Sequence, residues 1–297
     1  MVGKKHPIAS RIWKAGRFEF DLQERGLIMG IINATPDSFS DGGSYLAPEQ
    51  AVERALEQVR QGADVIDVGG ESTRPGADVV SADVEAARVI PVIEGIRERC
   101  ENVAISVDTS KASVAAAAIE AGADIVNDIS GLRGDPDMLA TLAPTDAGLI
   151  LMHMQGEPRT MQHSPEYEDV VVEVADFYLE QLELAETAGL ERERIVLDPG
   201  IGFGKTLDHN LQLLRAIPDH LDQVGRPILI GVSRKSLFAG LIGADSIADR
   251  LWPTVAMTSY CRQLGAGVLR VHDVEENAHA MKMTEAILRA GCAPKSC

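Results

Sequence analysis

Eight times between Leu27 and Val271 the sequence repeats one phrase: a short apolar run, a polar or glycine-rich loop, then an amphipathic stretch. The runs fall at 27–32, 64–68, 103–107, 124–126, 149–152, 195–197, 228–232 and 268–271. Near-continuous apolar runs, rich in β-branched residues, are what strands buried on both faces require. Helical periodicity lies between them, at 48–61, 82–99, 111–121, 166–188 and 275–288, and Pro48 and Gly62 bracket the first of these stretches. Strands that alternate with helices run parallel, and eight such units in about 250 residues predict a closed (β/α)8 TIM barrel. An open, doubly wound sheet is the alternative, but it concentrates function at one switch point instead of spreading it over every strand end. Before the first unit, 11–21 alternates around Ala15-Gly16 and predicts a short N-terminal β-hairpin that plugs the barrel floor. With no Pro/Gly/Ser-rich linker in the 297 residues, we expect one domain over 1–297, with the barrel at about 27–290.

Each apolar run ends in polar residues. In order these are Asn33, Asp67 with Glu71, Asp108, Asn127 with Asp128, His153, Asp198, Ser233 with Lys235, and Arg270 with His272. Any one of them can be a strand meeting solvent. Eight in succession at the C-terminal mouth of a barrel, where active sites of this architecture lie, predict a site. The carboxylates of Asp108 and Asp198 with the Asn127 amide suit a flat heterocycle carrying several N–H donors. Lys235, Arg270 and His272 suit an anion, and arginine suits phosphate. Asn33, with Asp37 and Asp41 nearby, offers the hard oxygen ligands that Mg²⁺ takes alongside substrate phosphates. A phosphorylated heterocycle meets all three requirements. No P-loop is present to make it a conventional nucleotide site.

Two loops are long. Residues 33–43 follow the first run and 69–76 the second, both with glycines, and the first holds Phe39; they read as a mobile lid or, more plainly, as surface loops. Net charge is −17, which repels polyanions and argues against nucleic acid, so a small anionic substrate needs local cations. Cys100, Cys261, Cys292 and Cys297 are scattered, which fits neither a zinc site nor a disulfide framework and suits a reducing cytoplasm. Residues 1–7 are basic but lead into no apolar stretch, so no signal peptide is read, and no run reaches membrane-spanning length.

From Leu27 to about Leu288 the chain resembles the dihydropteroate synthases. The segments that carry the resemblance are 33–43, 67–76, 106–110, 127–128, 151–156, 198–205, 233–236 and 270–273. It implies a transferase that joins (7,8-dihydropterin-6-yl)methyl diphosphate to 4-aminobenzoate, with Mg²⁺, giving 7,8-dihydropteroate and diphosphate. By resemblance, Asp108, Asp198, Lys235 and Arg270 are catalytic. Asn127 and Met152 join them around the pterin, with the Arg270 guanidinium across the ring. Thr73, Arg270 and His272 hold the diphosphate, and Asn33 its metal. Thr73, Arg74, Pro75, Phe203, Lys235 and Ser236 shape the 4-aminobenzoate pocket, and Asp37, Phe39 and Asp41 close over it. The implied mechanism is dissociative, through a pterin cation. A homodimer is expected, and no nucleic-acid or membrane partner.

Segment 250–254, Arg-Leu-Trp-Pro-Thr, departs from the Gly-Ser-rich helix opening common in the family and bears on helix packing and any dimer surface. Plain readings stand beside the functional ones. Ser236 can be a helix cap, Met281 and Met283 can be packing, and 191–194 can be a solvated turn. Two rivals remain open: a methyltetrahydrofolate-dependent methyltransferase of the same fold, and a silent paralogue that binds pterin without turnover. A methyl donor carries no diphosphate, so Thr73-Arg74-Pro75, 233–236 and 270–272 speak against the first.

Overall fold

The computed structural model describes residues 11–35, 46–72, 79–156, 161 and 164–290. It opens on the expected hairpin, β1 (Ile12–Ala15) and β2 (Phe18–Asp21), with Trp13 opposite Phe20 and Ala15 opposite Phe18. Gly16 turns the hairpin at φ +58°, and a Cβ there would lie 2.9 Å from the Asp124 side chain, so only glycine fits.

The barrel strands follow: β3 (Leu27–Asn33), β4 (Val65–Gly69), β5 (Ala104–Asp108), β6 (Ile125–Asp128), β7 (Gly148–Met152), β8 (Ile195–Asp198), β9 (Leu229–Ile230) and β10 (Val268–Val271). They form one parallel sheet in the order β8-β7-β6-β5-β4-β3-β10-β9, and a bridge from Leu197 to Ile228 joins its two edges into a nearly closed barrel. The run at 228–232 makes only a two-residue ladder, shorter than its apolar length suggests.

Outside lie α1 (Leu46–Gln61), α2 (Ala82–Arg99), α3 (Ala112–Glu120), α4 (Met138–Leu142) and α5 (Val170–Thr187) after β3 to β7 in turn. Two helices follow β8, α6 (Leu207–Arg215) and α7 (Ile217–Val224), and two follow β9, α8 (Leu237–Ile242) and α9 (Leu251–Gln263); α10 (Val274–Arg289) follows β10. Local chemistry sets their starts. The Asp169 carboxylate accepts from the Val171 and Val172 amides at the head of α5, and Thr206 and His209 form a reciprocal cap on α6.

Because successive side chains alternate across a strand, one set faces the helices and the other the barrel axis. Ile28, Ile66, Val68, Ile105, Val126, Leu149 and Leu197 pack outward against the helix layer. Leu27, Met29, Val65, Ala104, Ile125, Ile150, Val196, Leu229 and Val268 pack inward, onto Trp13, Ala15, Phe20 and Leu22 of the hairpin region. The hairpin therefore plugs the floor. Trp13 is fully buried and its indole N–H donates to the Arg194 carbonyl at 3.0 Å.

That contact corrects one expectation. In segment 191–194 Glu191 is exposed, as a solvated turn requires, but Arg194 is buried, and its guanidinium donates to the carbonyls of Ala147 at 2.8 Å and Leu142 at 3.0 Å. Two carbonyls at the barrel base need donors, and a buried guanidinium supplies them. Met281 is buried as a packing residue, whereas Met283 is exposed. No helix of the described residues is long and apolar enough to cross a membrane.

Candidate active site

The inward alternation continues one layer above the apolar floor, and there the residues change character. Asp67, Ser106, Asn127, Met152, Asp198, Gly231 and Arg270 stand two positions beyond the floor residues of their strands, so they point into the barrel mouth. Asn33, Gly69, Asp108 and His272 follow two positions later. Two of these positions are glycines. A Cβ on Gly231 would stand 3.9 Å from the Asp198 carboxylate and 4.0 Å from the Lys235 ammonium, and one on Gly69 would stand 3.6 Å from Asp108. Missing side chains leave room between charged ones.

Arg270 joins the charged groups. Its Nε lies 2.6 Å from Asp67 Oδ2 and its Nη2 lies 2.7 Å from Asp108 Oδ2. Asn127 donates to the same Asp67 oxygen at 3.2 Å. Across the mouth, Asp198 is buried and accepts from the Gly200 amide at 2.7 Å. Lys235 donates to the Ile201 carbonyl and sits over the Phe203 ring, 4.6 Å from its centroid.

Electrostatics follow from burial. Desolvation pushes the Asp108 carboxyl up to about 7, although Arg270 pulls it down and Asp67 pushes it further up. Burial also raises Asp198, against the pull of Lys235. Lys235 falls to about 8 because burial disfavours its charge, with Asp198 opposing. Burial works against the Arg270 charge too, but Asp67 and Asp108 outweigh it and raise the group above its ordinary value. Three carboxylates, Asp67, Asp108 and Asp198, around two cations, Arg270 and Lys235, make a mouth that favours positive charge on a group placed between them.

The remaining residues extend the site. Met152 is buried in a small cluster with Met154, Met161, Ile129 and Phe203, an apolar wall beside Asp198. His272 meets the Ser233 hydroxyl through Nδ1 at 3.0 Å, and its backbone N–H donates to the same oxygen at 3.1 Å. Arg234, at φ +59°, is tied to Asp273 at 2.9 Å. Ser236 is exposed at the head of α8 and its hydroxyl makes no capping bond, so the cap reading fails. Segment 250–254 acts on this loop: the Arg250 guanidinium donates to the carbonyls of Ala244 at 2.9 Å and Arg234 at 3.0 Å. Asn33 ends β3 exposed at the rim. Asp37, Phe39, Asp41, Thr73, Arg74 and Pro75 lie outside the described residues.

Two strand-end polar groups do not join the site. Asp128 points outward and accepts from the Ser130 and Leu132 amides at 2.8 Å, bracing its own turn. His153 turns into the helix layer, edge-on to Phe177 at 4.9 Å. Burial holds it neutral, down to about 2. Lys205, to which the sequence reading gave no role, is buried and lowered to about 7 by desolvation; its Nζ lies 3.0 Å from His153 Nδ1 and donates to the Phe203 carbonyl at 3.0 Å. Asp67 also had no assigned role. Its signal was parity: it precedes the outward-facing Val68 and stands, like Asn127, two positions beyond a floor residue of its strand.

A profile of the family described as pterin binding enzyme matches residues 29–272. A dihydropteroate synthase of Synechocystis is 45% identical over 276 residues, covering 92% of this chain and 94% of that protein. The Yersinia pestis dihydropteroate synthase, in a sulfonamide drug complex, superposes with a TM-score of 0.87 at 43% identity, covering 94% of this chain and all of that one (100%). The Burkholderia cenocepacia dihydropteroate synthase, complexed with 7,8-dihydropteroate, superposes with a TM-score of 0.85 at 42% identity, covering 95% of this chain and 98% of that one.

Proposed function

The chain belongs to the dihydropteroate synthase family of pterin-binding enzymes, and from that membership we propose how its own residues condense (7,8-dihydropterin-6-yl)methyl diphosphate with 4-aminobenzoate in folate biosynthesis. The observation that carries the proposal is the convergence of Asp108, Asn127, Asp198, Lys235 and Arg270 on one mouth, with Arg270 bonded to Asp108.

Asp108, Asn127 and Asp198 accept the N–H donors of the pterin edge, Met152 packs beside the ring, and Arg270 lies across it. As the bond from the methylene carbon to diphosphate oxygen breaks, the electron pair leaves with the diphosphate and positive charge spreads into the ring. The carboxylates of Asp108 and Asp198 are already in place to stabilise that charge, so no reorganisation is needed at the moment of reaction. Arg270 and His272 face the departing diphosphate, and Ser233 fixes the His272 ring by occupying Nδ1. The amine of 4-aminobenzoate then forms the C–N bond and gives its proton to water or to a carboxylate of the 37–41 loop. Phe203 and the Lys235 stem flank the benzoate ring, Ser236 meets its carboxylate, and Thr73, Arg74 and Pro75 complete that pocket. No protein nucleophile enters.

Among the described residues no group of three or more His, Cys, Asp or Glu could cage a metal. A lone amide oxygen at the rim suits Mg²⁺, which keeps several waters and takes substrate phosphates beside one or two protein oxygens. Asn33 would supply such an oxygen, and the ion when bound would neutralise charge on the diphosphate. We extend the reading to a cytoplasmic homodimer. Trp252 and Tyr260 on α9 and Met283 and Ile287 on α10, helices that pack on each other, leave apolar surface exposed that a second copy would cover.

Turnover with both substrates tests the function. Dihydropteroate and diphosphate should appear in equal amounts. Pterin binding without product would make the chain a silent paralogue, and methyl transfer from a methylated folate would make it the rival enzyme.

A further inference from the structure

Asp67 is wholly buried in the layer beneath the pocket, and one of its oxygens gathers three donors while the other has no hydrogen-bond partner. Oδ2 lies 2.6 Å from Arg270 Nε, 2.6 Å from Arg270 Nη2 and 3.2 Å from Asn127 Nδ2. All three donors belong to Arg270 and Asn127, which meet the ring in the functional reading above, on which this inference rests. We propose that Asp67 is a positioning residue which, through that single oxygen, sets the orientation of the Arg270 guanidinium and of the Asn127 amide toward the pterin.

Two physical facts make such a group necessary. An asparagine amide has an oxygen and a nitrogen of nearly equal shape, so only its partners decide which end faces the ligand. By taking Asn127 Nδ2, Asp67 turns the Asn127 carbonyl oxygen toward ring donors. An arginine left with one carboxylate forms a two-pronged pair with it. Asp67 takes the Nε edge of Arg270, so Arg270 reaches Asp108 through Nη2 alone and the Asp108 carboxylate is left with capacity for the ring.

Asp67→Asn keeps the shape and removes the charge. Its affinity for pterin diphosphate should fall about tenfold, while the KM for 4-aminobenzoate stays within about twofold. In the Arg270→Ala background the same change should be neutral or restorative, because it removes a carboxylate left buried without its cation. A merely structural role would give losses that multiply.

The pH profile offers a second readout. Asp108 is faced by Arg270 from β10, Asp67 from β4, Glu85 from α2, Asp128 from β6 and Lys235 after β9. Removing the Asp67 charge should move the acid limb of pterin binding to lower pH. In the wild-type protein, ¹⁵N spectra should show the Arg270 Nε–H protected from exchange both free and with pterin diphosphate bound, a test that stands if the variant fails to fold. Wild-type affinity in Asp67→Asn, multiplying losses, or loss of that protection on pterin binding would each overturn the proposal. Absence of turnover by the wild-type protein would instead overturn the functional reading.

Discussion

At Asp108 and Lys235 burial pulls in opposite senses, and together they define a pH window. Asp108 must be ionised to accept ring N–H bonds, and burial has pushed it up to about 7. Lys235 must be protonated to donate, and burial has brought it down to about 8. Binding of the pterin alcohol, which lacks the titrating diphosphate, should therefore rise with pH through about 7 and fall above about 8, as macroscopic steps of the coupled site. Fluorescence titration across pH 5–10 reads this, and a flat profile would contradict it. Stability runs the other way for Asp108. Its raised folded value contributes stability fully present below the ordinary carboxylate range and lost as pH rises through about 7. Asp198→Asn tests the ring contact directly, because an amide would present a donor to a donor. The loss should be on the order of 3 kcal/mol, about a hundredfold in pterin affinity by calorimetry. For Ser236→Ala the structure removes the capping role, so the KM for 4-aminobenzoate should rise several-fold while Tm stays put. A fall in Tm with both KM values unchanged would restore the cap reading.

The elements explain why those residues meet. The loops after β7 and β8 approach until a Cβ on Gly200 would lie 2.0 Å from the His153 carbonyl oxygen and one on Gly204 would lie 2.2 Å from that of Gln155. Both glycines also hold positive φ, so alanine at either is doubly excluded. Gly200→Ala should raise the KM for both substrates, since the added Cβ would also crowd Met152 at the end of β7, 3.2 Å away, and the loop after β8 carries Phe203. The hairpin is separable from chemistry: Trp13→Ala should cost about 3–5 kcal/mol of stability by denaturant titration, with KM values nearly unchanged. Strand order, the hairpin plug and the converging strand ends were legible in the sequence because a period-two pattern and an eightfold phrase leave few alternatives. What was not legible was direction. Asp128 and His153 look like Asn127 and Asp198 in a list of strand-end polar residues, yet they stand on the outward parity and serve a turn and a helix. Arg194 and Lys205 were missed for a related reason: their partners are backbone carbonyls 47 and 52 residues away for one, and a histidine 52 residues away for the other.

Across the whole molecule a net charge of −17 surrounds a mouth lined by Lys235 and Arg270. Attraction of a diphosphate is thus local, and raising ionic strength should lessen the general repulsion while screening the half-buried cations less. The exposed apolar residues on α9 and α10 predict a dimer by sedimentation velocity, and Met283→Lys should shift it toward monomer; a wild-type monomer at micromolar concentration would contradict that assignment. The most direct test of the account is a crystal structure of this chain with the pterin diphosphate bound. The ring should lie in the barrel mouth with its N–H edge on Asp108, Asn127 and Asp198, and the Arg270 guanidinium across its face. A ring bound elsewhere, or one in the mouth that leaves Asp108 and Asp198 without contact to it, would contradict the account.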